Sequence, residues 1–191
     1  MRIVSGSAGG LRLESPPGDR TRPTSERVRE AVYASLGRRV VGASVLDLFA
    51  GTGAMAIEAL SRGADRAVLV ERDRAAAAVC RRNLEHTGFA DRGRVVEGAV
   101  APFLGRRPPA EAPFTLVCCD PPYDVPDDAV AAALGRLVVP GWLAGDATVI
   151  VERPRSGGLA VPAGWEHRFT RTYGDTLVHA LSPTDALPPD P

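Results

Sequence analysis

Apolar and polar positions follow two different rhythms along this chain, and the change falls near residue 44. Before it, residues 3–13 read as two short strands around Gly6, Gly9 and Gly10, which predicts a hairpin. A polar loop follows over 15–22. Pro23-Thr24-Ser25-Glu26 then has the composition of a helix start, with Thr24 or Ser25 as N-cap and Glu26 in the first turn. Val28, Ala31, Val32 and Leu36 share one face of that helix. Arg22, Arg27 and Arg29 lie around its start, mostly off that face.

Beyond residue 44, short apolar runs alternate with helical periods. Strands are predicted at 45–50, 66–71, 94–97, 114–120 and 147–152, and helices at 54–62, 74–87 and 127–137. Gly63 and Gly88 close the first two of these helices, and Asp73 caps the second. Residues 105–113 form a Pro-rich loop. Residues 165–172 and 176–181 are a last pair of strands joined at Gly174-Asp175. Residues 182–191 carry four prolines and read as a disordered tail. The alternation predicts an α/β fold: an open, mostly parallel sheet with helices on both faces and an antiparallel pair at one edge. In such sheets ligands bind outside the carboxyl ends of the strands, where the strand order switches.

Composition narrows the classes. The 191 residues, 45% of them hydrophobic, suit one domain with a real core. The 23 basic and 23 acidic residues cancel, which argues against a uniformly basic nucleic-acid coat. Every basic residue is arginine, so lysine Schiff-base chemistry is excluded. The charge is unevenly placed: residues 1–39 hold eight arginines against four acids, and the rest fifteen against nineteen. A basic arm precedes a mildly acidic body.

No apolar run approaches the ~18 residues of a membrane helix, and no secretory leader is expected. Cys80, Cys118 and Cys119 are odd in number. Two are neighbours on one strand and point to opposite faces, so all three read as buried hydrophobes in a reducing cytoplasm. His86, His167 and His179 show no ligand spacing, so no metal is expected.

The chemistry gathers at the predicted strand ends. The first ends in Asp47-Leu48-Phe49-Ala50-Gly51-Thr52-Gly53, where Gly51 and Gly53 permit a tight turn and close approach of a ligand to backbone. The second ends in Glu71, 18 residues beyond Gly53, an acid able to accept hydrogen bonds from both hydroxyls of a ribose. Together they point to an adenosine-containing cofactor without saying which one. The fourth ends in Asp120-Pro121-Pro122-Tyr123. Two prolines cannot continue a central strand, and they hold the backbone rigid. Asp120 and the Pro121 carbonyl can accept two N–H bonds from an amino group on a planar ring, and Tyr123 can stack on the ring.

These residues resemble the class I S-adenosylmethionine-dependent methyltransferases that act on amino groups. Arg22-Pro23-Thr24-x-x-Arg27-Val28-Arg29-Glu30, ahead of the Asp47–Gly53 loop, narrows the likeness to the RsmD family of 16S ribosomal RNA guanine-N2 methyltransferases. The 3–13 hairpin and the Tyr173-Gly174-Asp175-Thr176 turn also fit that family. The resemblance implies a Rossmann-like, seven-stranded, mostly parallel sheet with an antiparallel last strand. Residues 1–39 would be an RNA-facing extension, 40–181 the methyltransferase domain and 182–191 the tail. Asp47, Phe49, Ala50, Gly51, Thr52 and Gly53 would cradle the methionine part of the cofactor. Glu71 and Arg72 would hold the ribose end, and backbone groups near Ala99 the adenine. The tetrapeptide Asp120, Pro121, Pro122 and Tyr123 would present the amine, with no metal. Arg12, Arg22, Arg27 and Arg29 would contact RNA, each arginine of the helix being otherwise solvated or paired with Glu26 or Glu30. The implied substrate is 16S rRNA, within the 30S subunit or an assembly intermediate, and the implied enzyme a cytoplasmic monomer. DNA and protein-glutamine amino methyltransferases share the tetrapeptide and stay open as alternatives.

Overall fold

Runs rich in Val, Leu and Ala form seven strands in the computed structural model, which describes residues 1–16 and 26–184. They are β1 (Ser44–Leu48), β2 (Arg66–Glu71), β3 (Gly93–Glu97), β4 (Phe114–Cys119), β5 (Leu143–Pro154), β6 (Trp165–Tyr173) and β7 (Thr176–Pro183). The helices are α1 (Glu26–Leu36), α2 (Ala54–Ser61), α3 (Arg74–His86), α4 (Val100–Leu104) and α5 (Asp127–Leu137). The strands pair in the order β3-β2-β1-β4-β5-β7-β6, the first five parallel. Every residue of β1 is buried, as a central parallel strand covered on both faces requires.

Two apolar layers flank the sheet. One joins α1, α2 and α3 to Val45, Leu69 and Ile150; the other joins α4 and α5 to Leu46, Val117 and Val149. Cys118 lies in the first layer and Cys119 in the second, as strand alternation demands, and all three cysteines are buried free thiols. The chain leaves β1 toward β2 and β3, then returns to β4 on the other side, with Leu48 beside Cys119. The strand order therefore switches between β1 and β4, and the cleft beyond their carboxyl ends is where a ligand fits. Among the described residues, no helix is long and apolar enough to cross a membrane.

The closing strands form the expected antiparallel pair at one edge of the sheet, and the last strand is antiparallel to both of its neighbours. β7 inserts between β5 and β6 and runs antiparallel to both. Burial explains it: Val178–Ser182 of β7 is buried throughout, whereas β6 is mostly exposed. The more apolar strand occupies the inner position. β7 also takes in Ser182 and Pro183, paired with Glu166 and Trp165, so these two residues belong to the sheet and not to the tail. Residues 185–191 of the expected tail lie outside the described residues.

The predicted N-terminal hairpin is reduced to one antiparallel bridge, Arg2 to Arg12, supported by Ile3 N–H to Leu11 O at 2.9 Å and Gly10 N–H to Ile3 O at 2.8 Å. Its apolar residues Ile3, Ala8 and Leu13 are buried in the α1–α3 layer, so the segment is part of that layer. α4 is an addition to the predicted elements. Five residues are too few to show a period, and Val100, Phe103 and Leu104 are what hold it.

Candidate active site

β1 runs into a loop that needs left-handed backbone at three of its five residues: Phe49 at φ 63°, Gly51 at 55° and Gly53 at 81°. A non-glycine residue there is strained, and such strain persists only where the surroundings over-determine it. Phe49 is held by packing on the α4–α5 layer, and Ala50 N–H donates to Val70 O at 2.9 Å. A Cβ on Gly53 would fall 2.7 Å from Cys80 Sγ, so this glycine lets α2 approach α3 closely. A Cβ on Gly51 would meet nothing within 4 Å, which leaves open space above the loop. Thr52 is buried, and its carbonyl accepts from Asn83 Nδ2 at 2.9 Å.

Glu71 at the end of β2 takes part in the same loop. Its Oε2 accepts from Gly51 N–H at 2.8 Å and its Oε1 from Asp73 N–H at 2.7 Å. Each carboxylate oxygen has a second lone pair, so the acid can still receive hydroxyls. Asp47 is 2% exposed and accepts from Ala56 N–H at 3.1 Å, which ties it to the first turn of α2. Burial pushes its carboxyl up to about 8, and the nearby Asp120 and Glu71 add to the rise. Asp47, Asp120 and Glu71 thus gather at one cleft, with Asp47 held in its neutral form below about 8. Among the described residues, no group of three or more His, Cys, Asp or Glu is arranged to hold a metal ion. Arg72 is exposed and lies 3.9 Å from Asp124, across from the β4 end. Ala99 is exposed at the N-cap of α4, and its neighbour Gly98 donates to Glu71 O at 2.9 Å.

Asp120-Pro121-Pro122-Tyr123 follows β4 directly, on the other side of the switch. Pro121 is buried, Asp120 and Pro122 are half-buried, and Tyr123 is 59% exposed, an aromatic ring with a free face. Val125 N–H donates to Pro122 O at 2.9 Å and closes a turn. Arg153, 4% exposed on β5, braces the segment from beneath. Its Nη2 donates to Val125 O at 3.1 Å and to Asp127 Oδ1 at 2.5 Å.

The basic arm divides. Arg12 and Arg27 are exposed, as a phosphate contact requires. Arg22 lies outside the described residues. Arg29 does not face solvent at all, which corrects its assignment to RNA: it is 0% exposed. Its Nε meets Glu58 Oε2 at 3.3 Å, and its Nη2 donates to Arg2 O. Glu58 also accepts from Val4 N–H at 2.8 Å, Ser5 N–H at 3.0 Å and Arg62 Nε at 2.7 Å. Position 29 sits between Val28 and Val32 and turns inward with them; a carboxylate 29 residues away makes that possible.

The family model described as Conserved hypothetical protein 95 matches residues 1–182. The chain belongs to this family, the RsmD family. It is 38% identical over 170 residues to Ribosomal RNA small subunit methyltransferase D of Escherichia coli strain K12, covering 88% of this chain and 83% of the relative. The solved structure of Escherichia coli yhhF superimposes with a TM-score of 0.84 at 35% identity, covering 96% of this chain and 97% of that one. An RNA methyltransferase from Salinibacter ruber, solved in complex with S-adenosyl-L-homocysteine, shares the fold at a TM-score of 0.63 and 18% identity, covering 88% of this chain and 97% of that one. The fold is that of the class I methyltransferases, and the chain is a methyltransferase of that class.

In this RsmD-family site the sequence reading missed Glu58, Asn83 and Arg153. Asn83 is fully buried on the inner face of α3 beside Val79, Cys80 and Leu84. An asparagine on an otherwise apolar helix face was the only signal available. Arg153 had none, because its partners come from a distant segment, and Glu58 had only the local i, i+4 pairing with Arg62.

Proposed function

We propose that this protein transfers a methyl group from S-adenosylmethionine to the exocyclic N2 of a guanine in 16S rRNA of the small ribosomal subunit. The observation that carries the reading is Asp120-Pro121-Pro122-Tyr123 at the end of β4, beside the strained glycine loop of β1, in a chain of the RsmD family. The residues fit the cofactor: open space above Gly51 and Glu71 for ribose hydroxyls. When bound, S-adenosylmethionine supplies a methyl group made electrophilic by its sulfonium.

The chain's own part is acceptor chemistry and alignment. The lone pair of a guanine amino group is delocalised into the ring. Asp120 and the Pro121 carbonyl accept its two N–H bonds, which localises that pair and stabilises the positive charge that develops on nitrogen; as the methyl–sulfur bond gives way to the methyl–nitrogen bond, one N–H proton passes to the Asp120 carboxylate. Tyr123 stacks on the base once it leaves its helix. Holding both reactants in one geometry contributes most of the acceleration. Arg12, Arg22 and Arg27 grip phosphates.

The substrate is the ribosomal RNA within a 30S particle or assembly intermediate, handled by a monomer. The test offers radiolabelled S-adenosylmethionine with unmethylated small subunits, free 16S rRNA and duplex DNA, followed by nucleoside analysis. N2-methylguanosine from the ribosomal samples supports the reading. Label in DNA, or on another base, overturns it.

A further inference from the structure

The N-terminal segment is fastened to the protein at two places, and the second touches the loop proposed to hold the cofactor. The first is α2, where Glu58 and Ser61 bind the backbone of residues 4–8. The second is Asn83. Its Oδ1 accepts from Glu14 N–H at 2.8 Å, and its Nδ2 donates to Glu14 O at 3.1 Å and to Thr52 O at 2.9 Å. One fully buried amide therefore bonds both backbone groups of Glu14 and the carbonyl of a residue inside the glycine loop. Three residues after Glu14 the chain enters 17–25, which carries Arg20 and Arg22.

An amide has two donors and two acceptor lone pairs in one rigid plane. A displacement of Thr52 O moves the plane, and the plane carries Glu14 with it. Buried bonds of this kind are costly to stretch or leave unmade, so the two segments move together. We propose that Asn83 is a positioning residue that couples occupancy of the glycine loop to the placement of the N-terminal segment leading into the arginines. The proposal rests on the reading of residues 49–53 as the cofactor loop. By linkage the coupling is reciprocal: RNA that holds the segment in place also strengthens cofactor binding.

Amide hydrogen exchange on the full-length protein, with and without saturating S-adenosylhomocysteine, tests it. In the wild type the ligand should slow exchange at Glu14 N–H about tenfold, within the usual range for coupled sites. Asn83→Leu keeps the heavy-atom count and the branch at Cγ and cannot bond either carbonyl; its Glu14 N–H should no longer respond at ligand saturation. Arg82→Ala removes only the exposed Arg82–Glu14 ion pair on the same helix and should keep the response. Should Asn83→Leu fail to fold, Asn83→Asp serves, since it keeps the acceptor for Glu14 N–H but loses the donors to Thr52 O and Glu14 O. A wild type that binds the ligand without a change at Glu14, or a variant that responds like the wild type, overturns the coupling. A wild type that does not bind S-adenosylhomocysteine at all overturns the cofactor reading itself.

Discussion

Gly51 N–H donates to Glu71 Oε2 at 2.8 Å, so the acid at the end of β2 shapes the loop at the end of β1. The same carboxylate holds Asp73 N–H at the entry to α3. Glu71→Gln sets an amide NH2 against one of those N–H groups. Stability should fall by about 1–3 kcal/mol, the cost of an unmet buried donor. Affinity for S-adenosylhomocysteine, measured by calorimetry, should fall at least about tenfold, the equivalent of one charge-assisted bond. Unchanged affinity would place the ribose elsewhere.

If Asp120 receives the amine as proposed, Asp120→Ala should abolish methyl transfer and leave S-adenosylhomocysteine binding nearly intact. Tyr123→Ala should raise KM for RNA by the loss of a stacked base, about 1–3 kcal/mol. Radiolabel transfer and calorimetry on the same preparations check both. A wild-type rate in Tyr123→Ala would show that its ring does not meet the base.

Asp47 stays protonated up to about 8, against an ordinary 3.8, in the protein without cofactor. The folded state therefore keeps a proton that the unfolded chain releases within that window. This group's contribution to stability falls as pH rises from 3.8 to about 8. Asp47→Asn should flatten the slope of melting temperature against pH. Cofactor binding runs the other way: an ionised Asp47 meets a cation better, so wild-type affinity should rise toward pH 8, and the asparagine variant should lose that rise.

Arg27 and Arg29 lie two residues apart on α1 and should behave as opposites. Arg29→Ala removes one of the two arginines on buried Glu58, leaving Arg62, and strips Arg2 O of its donor, so stability should fall by about 1–3 kcal/mol, visible in denaturant melts. Arg27→Ala should leave the melt unchanged, weaken RNA binding and reduce its salt dependence by about one phosphate contact. Equal salt dependence in wild type and Arg27→Ala would remove Arg27 from the RNA surface.

Arg153→Met keeps the bulk beneath the tetrapeptide loop and removes the bonds to Val125 O and Asp127. kcat should fall while S-adenosylhomocysteine affinity holds, since the glycine loop is on the other side of the switch. A parallel loss of cofactor affinity in titration would mean that Arg153 supports the whole sheet end and not the loop alone.

Much of this protein is legible one segment at a time. The alternation of strands and helices, the glycine loop after Asp47, Glu71 at the next strand end and the rigid Asp120-Pro121-Pro122-Tyr123 turn all follow from local chemistry. Left-handed backbone, missing N–H groups and the period of apolar positions are properties of a few neighbouring residues. What the tertiary structure decided are relations between segments far apart in the chain. Arg29 reads as a surface cation until Glu58 is brought beneath it. The last two strands read only as an edge pair until burial of β7 places it between β5 and β6. Asn83 reads as one polar residue in a helix until Glu14 and Thr52 meet across it. A buried charge or amide is stable only with partners in place, and sequence spacing carries no information about which distant segment supplies them.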